Sequence, residues 1–229
     1  MKTIFTAVVA LVLLAVSSIA FAYPNLGATT GIVAVPTAEI TDTGAFLGAA
    51  DIQFLDVTSI NVRAIYGLAA NWEVGAGLIF NEDDTQLGLN AKFRLPIEMA
   101  GMGWAIGASY TMASDNNGTQ IYFAGSRPIE MAGVTGASLL GTIGLSFTDI
   151  EELSALRPFI GAQLRFPSET EIAAEFVLEG GDFGDVISSF VIRQTFGGGW
   201  KGELGITNAI GFAGASDHDL FVGISRPLY

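Results

Sequence analysis

From residue 44 onward, apolar residues alternate with small, polar or charged ones in segments of about ten, separated by acidic or turn-forming clusters. A period of two is the mark of extended strands, because successive side chains point to opposite faces. In residues 85–95, Leu87, Leu89, Ala91, Phe93 and Leu95 share one face, and Gln86, Gly88, Asn90, Lys92 and Arg94 share the other. A helix would scatter those charges around its circumference. Residues 59–66 repeat the pattern, with Ile60, Val62, Ala64 and Tyr66 opposed to Ser59, Asn61 and Arg63. The alternation predicts twelve strands, at about 44–54, 58–67, 72–80, 85–95, 103–113, 119–127, 137–148, 157–166, 170–179, 185–195, 200–207 and 217–225. Residues 131–148 carry no charge and are long enough for a spanning helix. Their four glycines and the series Leu139, Gly141, Ile143, Leu145, Phe147 predict a turn and a strand instead. The hexapeptide Pro-Ile-Glu-Met-Ala-Gly at 96–101 recurs at 128–133, each copy after an arginine, which predicts two equivalent turns one hairpin apart.

Alternating strands fit a soluble β-sandwich as well as a membrane barrel, and three distributions favour the barrel. The apolar faces run almost uninterrupted, while Arg63, Lys92, Arg94, Arg127, Arg157, Arg165, Arg193 and Lys201 fall on or at the ends of the polar faces, with Asp51, Glu73, Glu171, Glu175, Glu179 and Glu203. A sandwich sheds charge outward, whereas a barrel in lipid keeps charge in its lumen. Next, the connections after odd-numbered strands hold Asp56, Glu82, Asp83, Asp84, Asp115, Asp149, Glu151, Glu152, Asp182, Asp185, Asp217 and Asp219. Those after even-numbered strands hold only Glu98, Glu130 and Glu169, so one rim is acidic. Finally, Trp72, Trp104 and Trp200 begin odd-numbered strands with outward parity, and Phe54, Phe80, Tyr110 and Phe147 end such strands. Paired aromatic girdles flanking an apolar band belong to transmembrane barrels. The expected fold is therefore an all-β, transmembrane, antiparallel up-and-down barrel of about twelve strands, with ten to fourteen compatible. The length of the chain does not accommodate a barrel of about sixteen.

The first residues read as an address. Lys2, an apolar run from Ile4 through Val16 and the triplet Ala20-Phe21-Ala22 describe a secretory signal peptide, 1–22, cleaved after Ala22. Residues 23–43 form an N-terminal segment that is periplasmic or enters the lumen, and residues 44–229 form the barrel. The composition agrees with an envelope protein. Half of the residues are hydrophobic, 14% are charged, 29 are glycine and none is cysteine. The absence of cysteine removes disulfide frameworks, thiol nucleophiles and thiolate metal sites. A net charge of −13 and the lack of a basic patch exclude nucleic acid as a partner.

Within the N-terminal segment, Thr30, Gly31, Pro36, Thr37 and Ala38 form a TG-x-x-x-x-PTA motif. It resembles the opening of YjbH-type outer-membrane proteins, and that resemblance implies a barrel associated with exopolysaccharide production or export. The terminal aromatic Tyr229 is similar to the last residue of bacterial outer-membrane strands, which implies handling by the barrel-assembly machinery.

Chemistry has few footholds. His218, the only histidine, is flanked by Asp217 and Asp219 at a loop edge, but no G-x-S-x-G nucleophile motif accompanies it. No cofactor is expected. The clusters Glu82-Asp83-Asp84 and Asp149 with Glu151-Glu152 offer carboxylates to divalent cations, without the spacing of a discrete metal site. The sequence thus predicts an outer-membrane, porin-like channel for small solutes or ions rather than an enzyme. Its lumen is lined by Arg63, Glu73, Lys92, Arg94, Arg127, Arg157, Arg165, Glu171, Glu175, Arg193, Lys201 and Glu203. A non-conducting barrel that serves polysaccharide-export partners is the alternative, and a lipid-modifying barrel enzyme the third. Outer-membrane lipids are partners in every case.

Overall fold

A computed structural model describes residues 28–54, 58–81, 84–114, 117–130, 136–150, 153–179, 185–207 and 219–228. Its strands are β1 (Phe46–Phe54), β2 (Thr58–Ala69), β3 (Trp72–Phe80), β4 (Thr85–Met99), β5 (Met102–Met112), β6 (Gly118–Glu130), β7 (Ser138–Ile150), β8 (Leu153–Arg165), β9 (Thr170–Glu179), β10 (Asp185–Phe196), β11 (Trp200–Thr207) and β12 (Asp219–Leu228). Each pairs antiparallel with its neighbours in sequence, and β12 returns to β1, with Phe46 opposite Leu228 and Phe54 opposite Leu220. The ring has no free edge, so every strand satisfies its backbone groups within the sheet.

The strands form where period two is sustained, and they outlast it where the backbone ladder continues. Alternation in β4 breaks after Leu95, yet the strand continues to Met99 through an irregularity in register between Arg94 and Glu98. β4 turns into β5 at Ala100 and Gly101, whose φ values of 56° and 69° give a two-residue turn of the primed type that matches strand twist. The second copy of the hexapeptide begins in β6, and residues 131–135 lie outside the described residues. β8 begins at Leu153 rather than near 157, because it stays paired with β7 up to Ile150.

Burial is the reverse of a soluble protein's. Ile52, Leu78, Leu89, Ile106, Ile143, Ile160, Leu204 and Val222 face outward and are exposed. Asp51, Arg63, Glu73, Lys92, Glu171, Glu175, Arg193 and Glu203 are buried within the ring. Lysine, arginine and acids are almost never fully buried unless paired, and such a wide outer apolar surface requires hydrocarbon around it. The protein is a closed, twelve-stranded transmembrane barrel.

Candidate functional site

The barrel interior is occupied by the chain that precedes β1. Residues 30–37 fold back on themselves. Gly31 bridges Pro36, the Ile32 amide donates to the Val35 carbonyl at 3.0 Å, and the Thr37 amide donates to the Thr30 carbonyl at 3.1 Å. This small hairpin contains Thr30, Gly31, Pro36 and Thr37 of the sequence motif, and Ala38 follows it; all five are buried. Isolated in water, so short a hairpin has little stability, so the wall must hold it.

Two carboxylates do so. On β3, Glu73 accepts from the Thr30 amide at 2.7 Å, the Thr29 hydroxyl at 2.6 Å and the Thr41 amide at 2.9 Å. Lys92 on β4 stands directly opposite Glu73 in register, 3.0 Å from its carboxylate, and also donates to the Thr30 and Thr37 carbonyls. On β9, Glu175 accepts from three successive amides at the hairpin's turn, Val33 at 2.9 Å, Ala34 at 2.8 Å and Val35 at 3.1 Å. Arg193 on β10 donates to the Ile32 carbonyl beside them. β3 and β9 are six strands apart either way round the ring, so the hairpin reaches from one wall to the other. Ser126 on β6 adds a bond from the Ala38 amide at 2.9 Å. Ile32, Val33 and Val35 pack with Phe159, Ala173, Val191 and Phe221 of the inner face.

Beside the hairpin, an alternating ladder of charge crosses the β8 to β11 wall. Arg165, Glu171, Arg193 and Glu203 are directly opposed across successive strands. Their pairs measure 2.9 Å (Arg165 to Glu171), 2.5 Å (Arg193 to Glu171) and 3.3 Å (Arg193 to Glu203). Gly223 comes next and then Asp51, to which Arg63 is paired, with Glu203 3.7 Å from the same guanidinium. Arg165 also reaches Glu39 of the N-terminal segment, at 3.5 Å. Removing one partner from such a network strands an uncompensated charge, which makes the arrangement rigid in composition even where each pair adds little net stability.

The remaining residues singled out in the sequence fall elsewhere. Lys201 is half-buried on β11, opposite Thr195, and Arg157 is half-buried on β8 with its carbonyl near the Ser146 hydroxyl. Arg94 is exposed, its guanidinium over Gly103 near the β4–β5 turn. Arg127 must be corrected: it follows the buried Ser126, so its parity turns it away from the interior, and its exposed side chain lies over Gly101. Tyr122 on β6 was not singled out by sequence reasoning. Its buried hydroxyl lies 3.2 Å from Asn90 and 3.3 Å from Thr29, and its parity, shared with Gln120 and Ser126, was the available signal.

On the outer face, Trp72 packs on Phe93 at 4.7 Å, Trp104 stacks on Phe123 at 4.7 Å, and Arg226 lies over the Trp200 ring at 4.9 Å. Phe54, Phe80, Tyr110 and Phe147 are exposed toward the opposite ends of their strands. Residues 1–27, His218, Tyr229 and most of the acidic connection residues, among them Asp56, Glu82, Asp83, Asp115, Glu151, Glu152, Asp182 and Asp217, lie outside the described residues. Among the described residues, no three acidic or histidine side chains converge to hold a metal ion.

No protein-family model matches the chain, and no curated protein matches it in sequence. Solved structures share its fold. The KdgM porin is similar with a TM-score of 0.65 at 13% identity, over 80% of this chain and 99% of that one. The NanC porin gives 0.58 at 9% identity, over 80% and 99%. An outer-membrane channel from Pseudomonas putida F1 gives 0.53 at 12% identity, over 86% and 100%. The chain has the fold of porin-like outer-membrane barrels.

Proposed function

We propose that this protein is a porin-like channel of the bacterial outer membrane that passes small solutes or ions. Residues 1–22 direct export, residues 23–43 form an N-terminal segment whose described part enters the lumen, and the acidic odd-numbered connections form an extracellular rim that gathers cations, divalent ones included. Arg63, Glu73, Lys92, Arg94, Arg157, Arg165, Glu171, Glu175, Arg193, Lys201 and Glu203 border the path. The observation that carries this reading is the inversion of the barrel, with an apolar exterior around an interior of paired charges. A barrel that needed only to stand in lipid would be served by an apolar core, whereas charged walls accept water and solute once the path is clear. Insertion into lipid runs through the barrel-assembly machinery.

Single-channel recording of the refolded chain in planar bilayers, with heat-dependent gel mobility to verify folding, tests the proposal. Ohmic steps support it; a folded barrel that passes no current under any condition rejects it. If current flows, Arg94→Gln and Arg165→Gln are expected to shift the anion-to-cation permeability ratio toward cations, since both remove positive charge from the end where β4 and β8 finish.

A second reading is an export-accessory barrel of the YjbH type working with polysaccharide machinery. It is supported by the burial of the motif in and beside the internal hairpin, with Thr30, Gly31, Pro36 and Thr37 within it and Ala38 directly after it, all buried. A non-conducting barrel that retains polysaccharide in a surface-binding assay favours it.

A further inference from the structure

We propose that the hairpin of residues 30–37 is a displaceable plug, latched to opposite walls by Glu73 and Glu175, and that solute passes only when the latch releases. The proposal rests on the channel reading and adds the device that closes it.

Three features set this hairpin apart from an ordinary lead-in to a first strand. It lies across the lumen rather than along it, because its base is bonded on β3 and β4 and its turn on β9 and β10, half the ring away. The walls are also shaped to receive it. A side chain on Gly75 of β3 would start 1.8 Å from the Ala28 carbonyl oxygen, and one on Gly161 of β8 would start 2.3 Å from Ile32 Cδ1. Glycine at those two inward positions gives the segment the room it takes up. Finally, the sheet does not depend on the segment, since β1 pairs fully with β12 and β2 and closes the ring without it.

The bonds divide accordingly. The wall keeps its own pairs when the hairpin leaves: Lys92 with Glu73, Arg193 with Glu171 and Glu203. The segment is held to the wall by backbone amides and a threonine hydroxyl donating to the Glu73 and Glu175 carboxylates and by its carbonyls accepting from Lys92 and Arg193, charge-assisted contacts that water entering a polar lumen can replace. Release therefore exposes solvated charge, not a broken sheet. The apolar packing of Ile32, Val33 and Val35 opposes release, so the closed state dominates at rest.

The chain has no cysteine, so a single engineered disulfide can report on the movement. The Ala28 Cβ lies 3.5 Å from where a Cβ on Gly77 would stand, within the range that a disulfide spans. Conductance is recorded for the unaltered protein, for Glu73→Gln with Glu175→Gln, and for that double variant carrying A28C and G77C, oxidised and then reduced. Heat-dependent mobility verifies that each is a folded barrel. The unaltered protein is expected to rest closed with rare openings. The double glutamine variant should raise the open fraction by about tenfold or more, because hydrogen bonds to charged acceptors are replaced by neutral ones. Oxidation of the tether should abolish those openings and reduction restore them. Openings that persist unchanged under the oxidised tether overturn the plug while leaving the channel reading intact. Folded barrels that pass no current in any of these states overturn the channel reading and the plug with it.

Discussion

Glu203 crosses the bare backbone of Gly223 toward Arg63. A Cβ on Gly223 would stand 2.4 Å from Glu203 Oε1 and 2.9 Å from Asp51 Cβ, so the gap in the charge ladder at β12 is occupied by its neighbours' side chains. The missing side chain lets two acids on either side of β12 share one arginine.

Gly223→Ala should therefore displace Glu203 or Asp51 from Arg63. Overpacking of a filled interior costs about 1–3 kcal/mol. Urea unfolding in lipid vesicles should show a lowered midpoint of that size, while Gly197→Ala, at a position with open space around it, should unfold like the parent.

The Glu73 and Lys92 pair predicts an asymmetry. Glu73→Gln alone leaves Lys92 buried without its counter-charge, a loss of about 3–5 kcal/mol. Glu73→Gln combined with Lys92→Met removes both charges and should recover a large part of that loss. Unfolding of the parent and the two variants measures it, and a double variant no better than the single one would show that the hairpin bonds, not the ion pair, dominate at Glu73.

The tryptophans predict a depth. Trp72, Trp104 and Trp200 lie at or near the start of odd-numbered strands, the end of the barrel at which β1 begins and β12 finishes. In vesicles, lipids brominated near the head group should quench their fluorescence more strongly than lipids brominated at the chain ends. Stronger quenching from the chain ends would place the apolar band elsewhere along the strands.

At the opposite end, the hydroxyl of Ser114 donates to the Asp84 carboxylate and holds its pKa below the ordinary aspartate value of 3.8. A depressed carboxyl pKa means that the contact is present above the usual carboxylate range and is lost as pH falls through the lowered value. Ser114→Ala should move the Asp84 titration upward, a shift that carbon-detected magnetic resonance of the side-chain carboxyl reads directly.

Much of the fold was legible in the sequence, because parity is a local property. Whether a residue faces in or out depends on its place in an alternating run, so residues 85–95 could be assigned their two faces without knowing what lay beside them. The strand ends were less legible. β4 carries on through Pro96 to Met99 and β12 through Pro227, which is opposite Leu47, because pairing with a neighbour outlasts the apolar pattern. Arg127 stands one step in parity past the buried Ser126 and is exposed, so it leaves the polar face with which its charge groups it in the sequence.

The sequence by itself determined a closed, outward-apolar barrel of about twelve strands, since period two, girdles and chain length are all written along the chain. The tertiary structure alone decided which charges meet and what fills the lumen. Glu175 is 140 residues from Val35, and Arg193 is 161 from Ile32. Nothing in a stretch of ten residues specifies contacts that depend on how the ring closes and on which strand ends up across from which.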